Sequence, residues 1–301
     1  MRILITGGAG FIGSHIAEYY QGKAEVRVLD NLRTGYMRNL KGLNVDFIRG
    51  DVRDRIKVAR AMQNVDYVFH LAAMIGVPES MQNPRECMDI NVNGTLIVLE
   101  EAAKAGVKKL IFASSAAVYG NSAGALRRED ICPDPDSIYA VTKLDGEHCC
   151  KIFSETGKLK TVSLRYFNVF GPRQDPDSAY AAAPAVFCNR AIHGKKISIF
   201  GDGEQSRDFV YIDDVVRINA FFAENDLEGA YNVASGKTVT INELVKRIRF
   251  ATDSQSEVEY LPERPGDIRH LRASTDKLYS AGVCCEANFS ASLNKTIDSY
   301  K

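Results

Sequence analysis

The sequence has no excess of charge of either sign: 38 lysines and arginines stand against 38 aspartates and glutamates. With no net field to draw the chain to nucleic acid or to an anionic membrane, an anionic ligand must be held by local groups. No apolar run approaches the roughly 18 residues of a membrane span. The opening MRILITGGAG goes straight into a strand-like segment with no signal-peptide core, so the cytoplasm is the expected compartment. The seven cysteines are odd in number and show no C-x-x-C or Cys/His ligand spacing. That pattern points away from a disulfide framework or a metal site and towards free, mostly buried thiols. Internal repeats and low-complexity segments are also absent. What is present is a 301-residue chain of 45% apolar content, enough for a large core and two lobes.

Short β-branched runs alternate with longer segments of helical period, beginning with RILIT, FIGSHIAEYYQ and EVRVLD. The alternation continues through VDFIRG, DYVFHLAA, PRECMDINVNGTLIVLEEAAKAG, KKLIFASS and SIYAVTKLDGEHCC to KTVSLRYFNVFG. It predicts repeated βαβ units, hence an α/β fold with a doubly wound parallel sheet and helices on both faces. KLIFAS is apolar without alternation, as a strand covered on both sides should be. After Gly171 the rhythm breaks at PRQDPDSAYAAAP, a loop with three prolines. The expected first domain comprises residues 1–166 plus about 209–230, where FVYIDDVVRINAFFAE returns to it. A smaller mixed α/β lobe is expected over 167–208 and 231–301.

The first strand runs into TGGAGFIGSH, which matches G-x-G-x-x-G at Gly8, Gly10 and Gly13 and the wider G-x-x-G-x-x-G at Gly7, Gly10 and Gly13. A strand-to-helix turn of this kind needs glycine so that a diphosphate can approach the backbone N–H groups at the helix N-terminus without meeting a Cβ. Asp30, at the end of the second strand, answers the turn at about the expected spacing of ~20 residues. Its carboxylate can accept hydrogen bonds from both ribose hydroxyls and would repel a 2′-phosphate, which favours NAD. Arg33 lies close enough to soften that preference, although a solvated loop arginine is the simpler reading.

Further along, SIYAVTKLDGEHCC holds Tyr139 and Lys143 four positions apart, followed by Cys149 and Cys150. On a helix the tyrosine and lysine lie ~40° apart around the axis and ~6 Å apart along it. Spacing alone leaves three readings open: an exposed helix surface, an acid/base pair, or a thiol site. Cys150 falls on nearly the Tyr139 face but ~16 Å along the axis, too far to touch chemistry at the phenol. Cys149 points some 80° away, where helix packing or an interface between copies is the simpler use.

The chain resembles the extended short-chain dehydrogenase/reductases, and within them the UDP-sugar 4-epimerases. The resemblance covers nearly the whole length and rests on TGGAGFIGSH, LDNLRTG, GDVRD, HLAA, NVNGT, SSAAVYG, YAVTK, RYFNVFGPRQ, GDGEQSRDFVYIDDV and RPGDIRH, in the family's order. It implies a Rossmann domain that binds NAD through Gly7, Gly10, Phe11, Ile12, Gly13, Asp30, Asn31, Thr34 and Gly35. Asp51 and Val52 would lie near the adenine, and Leu71, Ala72, Ala73, Asn91 and Tyr166 would also line the cofactor. The family's catalytic trio falls on Ser115, Tyr139 and Lys143, with the latter two touching the cofactor as well. Asn168, Arg207, Arg264, Asp267 and Leu271 match positions that hold the nucleotide diphosphate and its sugar. The family commonly pairs as a homodimer, through PRECMDINVNGTLIVLEEAAKAG and the helix carrying Tyr139.

Inverting a carbinol centre requires a base for the hydroxyl proton, a hydride acceptor and room for the ketone to turn. Tyrosine, with an ordinary pKa of about 10, is a poor base at neutral pH unless a nearby ammonium stabilises its phenolate. Lys143 is placed to do that. In this resemblance dehydrating relatives carry an Asp-Glu pair after the catalytic serine, decarboxylating ones a Glu, and those that epimerise beside the keto group a Cys. Here Ala116 and Ala117 stand there, which leaves simple C4 epimerisation. VPES, RQDPDSAYAA and GDGEQSRDF look most like the branch with UDP-N-acetylglucosamine 4-epimerases. Leu271 is intermediate between the small residues that accompany an N-acetyl group and the bulky aromatic that excludes it. UDP-glucose, UDP-N-acetylglucosamine and UDP-glucuronate therefore all stay open as substrates. Two other classes remain: an oxidoreductase of the same superfamily that releases NADH, and a non-catalytic NAD-sensing scaffold. The UDP-type segments argue against the first and the Tyr/Lys pair against the second.

Overall fold

The run RILIT forms β1 (Arg2–Thr6), buried at every residue but its first, as a strand covered on both faces should be. The structure, a computed structural model, describes residues 1–121, 126–178, 181–263 and 269–301. In chain order there follow α1 (Phe11–Tyr19), β2 (Glu25–Asp30), β3 (Val45–Arg49), α2 (Arg55–Ala61), β4 (Tyr67–His70), α3 (Val77–Gln82), α4 (Pro84–Met88), α5 (Gly94–Lys104) and β5 (Lys109–Ser115). Next come β6 (Leu126–Arg127), α6 (Ile138–Glu155), β7 (Lys160–Tyr166), β8 (Asn168–Phe170), α7 (Ala183–Ile192), β9 (Ile197–Phe200), β10 (Ser206–Tyr211) and α8 (Ile212–Glu224). The chain ends with β11 (Gly229–Val233), β12 (Thr238–Thr240), α9 (Ile241–Thr252), β13 (Val258–Leu261), β14 (His270–Ala273), α10 (Asp276–Ser280) and α11 (Phe289–Asp298). Among the described residues, no helix is long and apolar enough to cross a membrane.

The main sheet has the order β11-β7-β5-β4-β1-β2-β3, and its pairings from β3 through to β7 are parallel. The chain steps outward from β1 to β2 and β3, then crosses back to β4, β5 and β7. The order therefore reverses at β1, and a crevice opens beyond the carboxyl ends of β1 and β4, where ligands of doubly wound sheets bind. One face of the sheet is packed by Leu4, Val68, Leu110 and Phe112 against Val58 of α2, Val98 and Ala102 of α5, and Cys150 of α6. PRECMDINVNGTLIVLEEAAKAG is one helical segment in pattern but is divided in the fold: α4 passes through a π-helical turn, Asp89–Asn93, into α5.

The chain forms two compact units. The first comprises Met1–Gly120, Cys132–Tyr166 and Val216–Tyr231; the second comprises Asn121–Ile131, Phe167–Val215 and Asn232–Lys301. Two segments differ from the sequence expectation. Residues 209–215 belong to the second unit, because β10 pairs with β8, β12 and β14 in that unit's own sheet. Residues 121–131 join it as well, because the two-residue strand β6 pairs with β14. An aromatic cluster of Phe170, Phe209, Tyr211 and Phe289 packs within the second unit.

Candidate active site

At the end of β1, Gly7 has φ +71°, and a Cβ there would lie 2.8 Å from the Ala72 amide nitrogen. A Cβ on Gly13 would sit 2.7 Å from the Gly8 Cα and nearer still to the Gly7 carbonyl oxygen. Both positions thus require glycine, the first for its dihedral and the second for close approach. Helix α1 begins at Phe11 and Ile12 with Gly10 as its N-cap, and no side chain caps it, so its first N–H groups stay available to an anion. Asp30 is 7% exposed at the end of β2. Its Oδ2 accepts from the Ala9 amide at 2.9 Å and its Oδ1 from the Leu32 amide at 2.7 Å, and burial pushes its pKa up. Asn31 donates to Asp51 at 3.0 Å, and Arg53 holds the Asp51 carboxyl well below the ordinary range.

Arg33 settles elsewhere: it pairs with Glu79 at 2.8 Å and with Glu86 at 2.5 Å. The cation that could have received a 2′-phosphate is committed to α3 and α4. Thr34 and Gly35 follow in the same loop, and a Cβ on Gly35 would come within 3.0 Å of Asp30 Oδ2. Across the crevice, Leu71 and Ala72 are tied to Thr6 through its carbonyl at 3.1 Å and its hydroxyl at 3.2 Å, with Ala73 next in line. Val52 is buried. Asn91, within the π-helical turn, spends its amide inside the protein, bonding the Met74 backbone in both directions and Thr142 at 3.0 Å. Tyr166 is buried and donates to Asn219 at 2.9 Å. A bared turn, an uncapped helix start and a buried carboxylate at the next strand end together fit a dinucleotide diphosphate with its adenosine ribose.

The catalytic candidates converge on α6 and β5. Ser137 caps α6 by accepting from the Ala140 amide at 3.2 Å. Lys143 is buried and donates to the Ala113 carbonyl at 2.7 Å, with its ammonium 5.8 Å from the centre of the Tyr139 ring. Burial pulls the Lys143 pKa down to about 8. Burial likewise pushes the Tyr139 phenol up, while a hydrogen bond with the Ser115 hydroxyl works against that rise. In the chain by itself, then, the phenol is protonated at neutral pH. Ser115 Oγ also accepts from the Ala117 amide at 3.1 Å and so starts the turn Ala116–Tyr119. Ala116 and Ala117 bring no acid or base beside it.

The second unit gathers three of the other candidates. Asn168 on β8 is the register partner of Phe209 on β10, and Arg207 on β10 is the partner of Leu271 on β14. Asn168 donates to the Asp208 carbonyl at 3.2 Å, Arg207 to the Ser206 carbonyl at 3.0 Å, and Leu271 is 8% exposed. Arg264 and Asp267 lie outside the described residues. All seven cysteines are free: Cys87, Cys150 and Cys188 buried, Cys132 exposed, and Cys149, Cys284 and Cys285 intermediate. Cys150 lies in the core beneath the sheet and Cys149 packs against it partly buried, and with three of the seven buried, fewer thiols are buried than the sequence led us to expect.

Sequence reasoning missed three buried groups. His70 bridges Thr6 at 2.7 Å and Thr95 at 3.0 Å, and burial pulls its pKa to about 3, which keeps it neutral. Glu147 and Arg165 form an ion pair at 2.7 Å with side chains only 7% and 5% exposed. The available signal was position: Glu147 stands one helical turn beyond Lys143, and Arg165 directly precedes Tyr166.

Residues 3–234 match a family model described as the NAD dependent epimerase/dehydratase family. A putative UDP-glucose 4-epimerase of Methanocaldococcus jannaschii is 35% identical, over 99% of this chain and 98% of its own. A solved UDP-N-acetylglucosamine 4-epimerase from Methanobrevibacter ruminantium, in complex with UDP-N-acetylmuramic acid, is 39% identical with a TM-score of 0.96, covering 99% of this chain and 97% of that one. A UDP-glucose 4-epimerase of Thermus thermophilus in complex with NAD is 38% identical with a TM-score of 0.93, covering 100% of this chain and 99% of that one.

Proposed function

We propose that this chain, which belongs to the NAD dependent epimerase/dehydratase family, inverts C4 of a UDP-hexose, interconverting UDP-glucose with UDP-galactose, UDP-N-acetylglucosamine with UDP-N-acetylgalactosamine, or both pairs. It is an NAD-dependent nucleotide-sugar epimerase; the proposal concerns the substrate and the residues that act on it. The carrying observation is the grouping of Ser115, Tyr139 and Lys143 beside two alanines, which offers a proton acceptor for a carbinol and no catalyst for elimination or decarboxylation.

Bound NAD would supply the hydride acceptor and donor, and the positive charge of its oxidised nicotinamide would favour the phenolate. Gly7, Gly10, Phe11, Ile12 and Gly13 would hold its diphosphate, and Asp30 its adenosine ribose. Tyr139 takes the proton of the C4 hydroxyl and later returns one to the same oxygen. Lys143 stabilises the phenolate that does this, and Ser115 donates to a lone pair of the sugar oxygen so that the sugar's O–H points at the phenolate. The diphosphate must stay fixed while the 4-keto sugar turns over. Arg207 and Arg264 suit that task because a guanidinium binds phosphate oxygens as a fork, and Asn168 and Asp267 are assigned the same role by their place in the family's pattern.

Leu271 is assigned to the sugar's C2 substituent. The test compares kcat/KM for UDP-glucose and UDP-N-acetylglucosamine in the wild type and in Leu271→Tyr. A wild-type ratio near one, with selective loss of the N-acetyl substrate in the variant, is expected. Equal losses on both substrates would remove Leu271 from the sugar pocket. We further propose a homodimer paired through α4, α5 and α6, where Ile152 is 56% exposed; sedimentation that shows only monomer would refute it.

A further inference from the structure

We propose that Glu147 and Arg165 are positioning residues for the epimerase reaction, locking α6 to β5 so that Tyr139, Lys143 and Ser115 stand in register. This rests on the catalytic reading of those three residues. Tyr139, Lys143 and Glu147 follow one another at intervals of four, and residues so spaced share a helix face. Opposite them run three consecutive residues of β5. Lys143 donates to the Ala113 carbonyl at 2.7 Å, Glu147 accepts from the Ser114 hydroxyl at 2.5 Å, and Tyr139 meets the Ser115 hydroxyl. Two successive turns of the helix are thus hydrogen-bonded to neighbouring residues of the strand. Gly146 allows the close approach, since a Cβ there would lie 2.8 Å from Phe112 Cε1 and deeper still in the ring.

Glu147 carries a further, bidentate side-chain anchor. Arg165, the register partner of Ser114 on β7, grips its carboxylate with two bonds, Nε to Oε1 at 2.9 Å and Nη2 to Oε2 at 2.7 Å. The remaining Nη1 donates at 2.9 Å to the hydroxyl of Tyr119, a fully buried residue in the turn directly after Ser115. One buried pair therefore ties the helix that carries the base and the lysine to the strand and the turn that carry the serine. Stability alone does not account for it, because an apolar pair of similar volume is often as stable as a buried ion pair. An ion pair with bidentate geometry fixes direction as well as distance, and direction is what a proton transfer at one oxygen needs.

The test uses two variants of the full-length protein. Glu147→Gln keeps the shape and removes the charge, while the double variant Glu147→Leu/Arg165→Met substitutes an apolar contact for the pair. In Glu147→Gln, kcat is expected to fall by about 10- to 100-fold with KM within about twofold, the scale of a small misplacement of reacting groups. In the double variant the melting temperature should return to the wild-type level while kcat stays low. A kcat that recovers together with the melting temperature, or a Glu147→Gln enzyme within about twofold of wild type, would overturn the proposal. The Tyr139 phenol titration, read as tyrosinate absorbance against Tyr139→Phe, judges the pair independently of turnover. It should shift in Glu147→Gln, and an unchanged titration counts against the pair. If the wild type converts no UDP-hexose, the functional reading falls, and the titration still decides whether Glu147 and Arg165 set the environment of the phenol.

Discussion

Replacing Lys143 with methionine separates two consequences of one buried charge. Lys143 is 5% exposed, and burial draws its pKa from 10.5 down to about 8, against raising contributions from Cys87, Cys150 and Glu147. Between those values the unfolded lysine holds a proton that the folded one has released. The unfolded state then binds more protons, so the lysine's contribution to stability grows as pH rises through this window and is lost as pH falls towards 8. From pH 7.5 to 9.5 the gain amounts to about 2 kcal/mol, at about 1.4 kcal/mol per pH unit over which the two states differ. The same deprotonation removes the cation that supports the Tyr139 phenolate. Activity should therefore fall over the window in which this contribution to stability rises. Other groups titrate nearby: Lys109 is also pulled down to about 8, and the Cys150 and Cys188 thiols are pushed up. Wild type and Lys143→Met share them, and the two that do not act on Lys143, Lys109 and Cys188, cancel in the difference. Urea denaturation of both proteins at pH 7.5 and 9.5, beside a pH profile of kcat, makes the measurement. A stability difference that does not change between the two pH values would refute the placement of a buried ammonium.

Gly13→Ala should lose the cofactor, because its new Cβ would stand within 2.7 Å of the Gly8 Cα. The turn must move, at about 1–3 kcal/mol of stability. Nucleotide released from the purified variant on denaturation checks this, and a full complement of NAD at an unchanged melting temperature would contradict it. A thiol reagent under native conditions should modify Cys132 first, since Cys87 and Cys150 are buried and desolvation raises both thiols. Activity should survive that modification, as read by mass spectrometry beside turnover; inactivation in step with Cys132 labelling would show that a thiol matters.

Local patterns carried the first unit well, because its order follows from features a few residues long. RILIT running into TGGAG, Asp30 closing the next strand, and Tyr139 one turn from Lys143 are each legible from neighbours in the chain. The second unit was less legible for a physical reason. The two residues of β6 have no periodicity to read, and β10 shows its allegiance only through partners at 168, 240 and 271. Arg33 looked like a loop cation until α3 and α4 brought Glu79 and Glu86 to it from more than forty positions away. Glu147 and Arg165 are ordinary surface residue types, and only the packing of α6 on β5 and β7 turns them into a buried pair.

The most direct test of the account is to give purified protein UDP-galactose with no added NAD and to follow UDP-glucose. Conversion by the wild type and its near abolition in Tyr139→Phe, with NAD content retained, is the predicted result. Absence of conversion for every UDP-hexose supplied, or a Tyr139→Phe enzyme as fast as wild type, would contradict it.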